Sequence, residues 1–174
     1  MFLVGCNDSD SKKEDTEVKE ETTPIDKKME TETTTPQANL EQDFTNYIEE
    51  IVVLAPEEDR IIGLYASVTG LNYTSDEVLY YTLVDEVIPG YRQFTVELEA
   101  IMPKNPRIRE MHEVYIEAAN LQYNAFTLMV SAIETQDMEK MTEANKGLDE
   151  ARALLRDWLY EVDAISAETG VSLE

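Results

Sequence analysis

The stretch NPRIREMHEVYIEAANLQYNAFTLMVSAIETQD, residues 105–137, decides the fold. Ile108, Met111, Tyr115, Ala118, Gln122, Ala125, Met129 and Ala132 recur at intervals of three and four. That is the period of one face of an α-helix, not the alternation of a strand. Val114, Leu121 and Leu128 on one side, with Ala119, Phe126 and Ile133 on the other, widen the apolar stripe. Asn105 ahead of Pro106 supplies an N-cap followed by proline at the first helical position, where its missing N–H costs nothing. Thr135-Gln136-Asp137 makes a turn, with Asp137 as the cap of the next helix.

The same period continues on both sides. Downstream, Met141, Ala144, Leu148, Ala151, Leu155, Trp158, Val162 and Ile165 form a stripe that Gly170 ends. Upstream, Thr74-Ser75-Asp76-Glu77 has the spacing of a capping box. The stripe after it runs through Tyr80, Val84, Val87, Tyr91, Phe94, Leu98 and Ile101. Pro89-Gly90 lies inside this stripe, and a proline there removes one backbone hydrogen bond and crowds the carbonyl four residues earlier. A kink near 85–89 is therefore expected within a single helix that Pro103 stops.

Further upstream, Phe44, Ile48, Ile51 and Ala55 open a first helix. Pro56 interrupts it, and Glu57-Glu58-Asp59 restarts a turn whose face continues through Ile61, Leu64, Tyr65 and Val68 to Gly70. The sequence predicts an all-α fold: an elongated up-down-up-down antiparallel four-helix bundle with kinks near Pro56 and Pro89, preceded by a disordered tail. Residues 39–170 make up the helical domain, a size that supports one continuous core.

Residues 7–38 read as a disordered acidic tether. Val18, Ile25 and Met29 are the large apolar residues of its first thirty positions, too few to offset chain entropy on folding. In front stands Leu3-Val4-Gly5-Cys6, which has the pattern of a bacterial lipobox, with Cys6 as the residue that receives lipid. Residues 1–6 then form a truncated signal remnant, because export signals carry an apolar run of about 7–15 residues before the cut. The lipid reading requires a start upstream; its rival is an ordinary cysteine near a disordered end. The chain has one cysteine, so an internal disulfide is excluded. No run of 18 apolar residues is present to cross a bilayer, and attachment to a membrane would be through lipid on Cys6.

With this lipobox, the acidic Thr/Lys/Glu tether and a helical domain carrying Val68-Thr69-Gly70, the chain resembles small uncharacterised lipoproteins of Gram-positive bacteria. The resemblance implies a lipid-anchored protein on the extracytoplasmic face of the cell membrane, and it implies no activity or site.

The net charge is −23. The acidity extends into the domain: from Thr45 onward there are 25 acidic against 9 basic side chains. Such a surface repels phosphate backbones, so no nucleic-acid partner is expected. The motifs of phosphate loops, nucleophile elbows and zinc proteases are absent. His112 is the one histidine; Arg109 stands where a Glu-x-x-His metal motif requires Glu. No metal and no cofactor is expected. The expected role of His112 is a half-buried structural histidine paired with a carboxylate. Calcium at Glu57-Glu58-Asp59 is weighed against the preference of a helix N-terminus for acids. Gln122, in the core stripe, needs buried partners, and Tyr80, Tyr91 or Tyr115 are the expected ones. Gln122, His112, Tyr115 and Tyr91 form the candidate polar pocket.

These features point to a non-catalytic interaction or ligand-binding module, its partner an unknown protein or small molecule. The alternatives are a carboxylate-based enzyme acting on cell-envelope glycans and a cytoplasmic acidic DNA mimic.

Overall fold

A computed structural model describes residues 36–173. Cys6, the lipobox and the tether up to residue 35 lie outside the described residues. Among the described residues all regular structure is helical. Helix α1 spans Pro36–Ser67, so the helical domain begins ahead of the expected boundary at residue 39. A 3-10 turn, Gly70–Asn72, leads to α2 (Asp76–Thr82). A π-helical turn, Leu83–Val87, joins α2 to α3 (Ile88–Glu99). Helices α4 (Pro106–Thr135) and α5 (Met138–Thr169) complete the domain. The run from α2 through α3 takes the place of the single second helix expected, so four helical rods pack together.

The ends form largely as their sequences dictate. Asn105 caps α4 through a bond from the Arg107 N–H at 2.9 Å, and Asp137 caps α5 by accepting from Glu139 and Lys140. Gly170 closes α5 with a φ of 77°, a left-handed conformation that glycine adopts without strain. The cap of α2 corrects the expected one. Ser75, not Thr74, accepts from the backbone, at the N–H of Val78. Asp76 and Glu77 then fill the first turn, where the helix dipole favours acids.

Side-chain contacts give the direction of the rods. Arg107 at the start of α4 bonds Glu161 and Glu168 near the end of α5, while Lys140 at the start of α5 reaches Ser131 near the end of α4. These two helices therefore run in opposite directions. Along α2 to α3 the partners on α4 also run in reverse: Tyr80 meets Glu134, Tyr91 meets Gln122, and Leu98 meets His112. Small residues line the α4–α5 seam, and a Cβ on Gly147 would lie 3.5 Å from that of Ala125.

Neither proline ends its helix. Pro56 lies within a continuous α1, and no break occurs there. Both Pro56 and Val52, whose carbonyl it leaves unpaired, are on the exposed face, so solvent can satisfy that carbonyl. At Pro89 the irregularity is the π-turn that precedes it. The Ile88 N–H bonds the carbonyl of Leu83, five residues back.

That extra residue changes the phase of the stripe. Up to the first residue of the turn the buried apolar residues are Leu79 and Leu83, not the expected Tyr80 and Val84; from its last residue onward they are Val87, Tyr91, Phe94, Leu98 and Ile101. Leu79, Leu83, Val87 and Tyr91 are four apart. In an α-helix each such step drifts by about 40°, so three would swing the stripe by about 120° off the core. A wider π-turn absorbs part of this drift and keeps all four residues inward. Leu83→Ala should thus destabilise the domain by about 2–5 kcal/mol, and Val84→Ala by less than about 1 kcal/mol, in urea unfolding. The reverse order would place the phase change elsewhere.

Candidate functional site

Two polar networks lie among buried and half-buried side chains. The first starts on α5. The Trp158 indole N–H donates to the Tyr47 hydroxyl at 3.0 Å. Tyr47 lies 3.2 Å from His112 Nδ1, and His112 Nε2 lies 3.1 Å from the Leu98 carbonyl. His112 is 2% exposed, and burial pushes its pKa below the ordinary value, which favours the neutral ring. An indole N–H only donates and a carbonyl only accepts, so in the neutral ring Nε2 carries the hydrogen, Nδ1 accepts, and the Tyr47 O–H points at the imidazole. The expected half-buried histidine on a carboxylate is corrected: it is fully buried and its partners are a hydroxyl and a carbonyl.

The second network centres on Glu58. The Tyr115 hydroxyl donates to Glu58 Oε2 in a short hydrogen bond. The Tyr91 hydroxyl lies 2.9 Å from Gln122 Oε1 and 3.4 Å from Glu58 Oε1. Desolvation raises the Glu58 pKa above its ordinary value, opposed by the bonds from Tyr115 and Tyr91. Burial raises those of Tyr91 and Tyr115 as well, and the adjacent carboxylate adds to it.

Three of the four pocket residues, Tyr91, Tyr115 and Gln122, thus meet around Glu58. His112 belongs to the other network, which touches the first where the Tyr115 and Trp158 rings lie 4.4 Å apart. Among the described residues no buried side-chain polar atom lacks a partner; the groups satisfy one another.

Glu58 and Tyr47 are the residues that the stripe assigned to α1 misses. Because α1 is continuous, its inward face is Phe44, Tyr47, Ile51, Glu58, Ile61 and Tyr65, again at helical spacing. A carboxylate at a core position is the signal, and it is hidden when Pro56 is taken to restart the helix. Glu57 turns outward and pairs with Arg60 at 2.7 Å. Among the described residues no group of three His, Cys, Asp or Glu side chains is placed to hold a metal ion.

A cleft of about 400 Å³ opens beside Tyr47, between the first half of α1 and the connection from α3 to α4. Asp43, Glu49 and Glu50 stand on its α1 wall, and Ile101, Met102, Pro103 and Lys104 form the other. Val53 and Met102, both more than three-quarters exposed, make an apolar rim. Among the described residues no ion pair neutralises these three carboxylates.

No protein-family model matches this sequence, and comparison with curated proteins and with solved structures finds no match.

Two consequences can be measured. Tyr47→Phe removes the shared partner of Trp158 and His112, which should cost about 1–3 kcal/mol by leaving buried groups unpaired. The pH dependence has two opposed arms. Unfolded His112 takes a proton near its ordinary 6.5 while the folded residue resists it, so its contribution is full above that pH and falls on acidification. Folded Glu58 keeps its proton above the ordinary 4.5, so its contribution is full below that pH and falls as pH rises toward the raised value. Glu58→Gln removes the second arm alone. Its stability should therefore drop more steeply than that of the wild type between pH 7.5 and pH 5, as read by urea midpoints.

Proposed function

We propose that this chain is a lipid-anchored, extracytoplasmic binding module without catalytic activity, which uses the cleft beside Tyr47 to hold a cationic segment of a protein or a small organic cation. The cleft supports this reading. A volume of about 400 Å³ suits a small ligand or one or two side chains. Its three carboxylates outnumber the one basic side chain on its walls, Lys104, and so favour positive charge, and its Val53–Met102 rim favours an apolar flank on the ligand. All three carboxylates stand on α1 and none faces them from the opposite wall; paired glycosidase carboxylates would flank the bond to be cut.

The anchoring half of the proposal rests on Cys6 and the acidic tether. No helix among the described residues is long and apolar enough to cross a membrane.

The two halves separate experimentally. In a bacterial host expressing the gene with its upstream region, labelled fatty acid should enter the wild-type protein and not Cys6→Ser; an unlabelled wild type would end the anchoring half. For the cleft, a short lysine-rich amphipathic peptide should bind the full chain. The triple substitution Asp43→Asn, Glu49→Gln, Glu50→Gln should weaken it about tenfold or more, equivalent to about 1.4 kcal/mol. A control triple at exposed Glu110, Glu113 and Glu117 of α4 should change affinity far less. Equal losses from both triples would reduce the interaction to general charge attraction, which salt screens.

A further inference from the structure

We propose that Glu58, Tyr91, Tyr115 and Gln122 form a one-proton switch at the junction of α1, α3 and α4, in which protonation of Glu58 reverses the Tyr91 hydroxyl and turns the Gln122 amide. The geometry allows two arrangements. Tyr91 has one hydroxyl proton and two acceptors in reach, Gln122 Oε1 at 2.9 Å and Glu58 Oε1 at 3.4 Å. It cannot serve both at once.

With Glu58 protonated on Oε1, the hydrogen bonds run in one direction. Tyr115 donates to Glu58 Oε2, Glu58 donates to the Tyr91 oxygen, and Tyr91 donates to Gln122 Oε1. When the proton leaves to solvent, Tyr91 turns its hydrogen to Glu58 Oε1, so that the carboxylate accepts from both tyrosines. The Tyr91 oxygen then needs a donor, and Gln122 supplies it by exchanging Oε1 for Nε2. The two ends of an amide are nearly equal in shape, so the exchange leaves the packing intact. In each state the Glu58 carboxyl and the Tyr91 hydroxyl keep their partners, and the two states differ by one proton.

The surroundings leave the proton as the controlling variable. On α1 the neighbouring charge is Asp59, which opposes ionisation, and the Glu57–Arg60 pair is turned to solvent. From α3 the titratable group at Glu58 is Tyr91, and from α4 it is Tyr115. Across the Tyr115 ring α5 presents Trp158, which does not titrate. The π-turn contributes Glu86, whose charge bears on Arg60. Among the described residues no basic side chain bears on Glu58 to hold it ionised. The switch is independent of the cleft, since it uses none of the cleft carboxylates.

The test is an NMR titration of the full chain, following the Glu58 carboxyl carbon and the Gln122 side-chain amide together. Glu58 should titrate above the ordinary carboxylate range, and the Gln122 amide signals should move with the same midpoint. Gln122→Met removes one bond from each state. The hydroxyl proton it strands in the protonated state costs more than the lone pair it leaves unfilled in the ionised state, so the midpoint should fall, by less than the roughly one pH unit of a whole hydrogen bond. Tyr115→Phe removes a donor to the carboxylate and should raise it. An ordinary Glu58 midpoint, or Gln122 signals that stay fixed while Glu58 titrates, would overturn the switch. The wild-type titration decides the matter even if a variant fails to fold.

Discussion

A half-buried carboxyl group, that of Glu58, is the constraint on which the packing of α1 against α3 and α4 depends. Taking it partly out of water costs free energy unless its oxygens are bonded, and the bonds come from two other helices, through Tyr91 and Tyr115. A slip of α1 against α4 by one turn would move it about 5.4 Å along the axis and leave the carboxyl among apolar groups. An apolar stripe tolerates such a slip better, because hydrophobic contact has no direction. The tyrosine donors therefore set the register that the surrounding Phe44, Ile61, Phe94 and Phe126 then fill.

Three backbone features bring those groups together. Helix α1 passes Pro56 without a break, which keeps Glu58 in phase with Ile51 and Ile61. The π-turn before Ile88 rotates the buried face so that Leu83, Val87 and Tyr91 point the same way. Gly90 lets α1 and α3 approach: a Cβ there would come within 3.1 Å of Ile61 Cγ1. A residue with a side chain at 90 would push against Ile61, three residues from Glu58, and strain the contact with Tyr91 next to it. The irregular residues of the second rod thus serve one local geometry.

Much of this is legible in the sequence, and what is not has a common cause. The stripes of α4 and α5 are read correctly because no proline or glycine disturbs their phase enough to matter. The Asn105 and Asp137 caps follow from side-chain chemistry alone. Misreadings cluster at Pro56 and Pro89, where periodicity has to be carried across a proline. In α1 the helix is continuous, so Glu58 and Tyr47 share the inward face; treating Glu58 as a helix-start acid hides it. In the second rod the period changes by one residue, so the stripe is right after the π-turn and off by one before it. Gln122 was visible as a core polar residue needing a tyrosine, and Tyr91 is that tyrosine. The bonding of His112 is not visible, because its two partners, Tyr47 and Leu98, come from separate helices.

The two polar networks look alike but differ in one respect that decides how each can behave. The chain from Trp158 through Tyr47 and His112 to Leu98 begins at a group that only donates and ends at one that only accepts. Reversing any link would leave an indole N–H against a donor or a carbonyl without one, so it has a single arrangement. Adding a proton to His112 would also strand the Tyr47 hydrogen, a cost additional to burial of the charge. The Glu58 network ends instead in an amide, which can present either a donor or an acceptor to Tyr91. Its interior carboxyl can do the same by gaining or losing a proton. One network is consequently a fixed pin between α1, α3, α4 and α5, and the other is reversible. Their only ring contact, Tyr115 on Trp158 at 4.4 Å, is apolar stacking through which no proton can pass, so the reversible network can change state while the pin holds the helices in place.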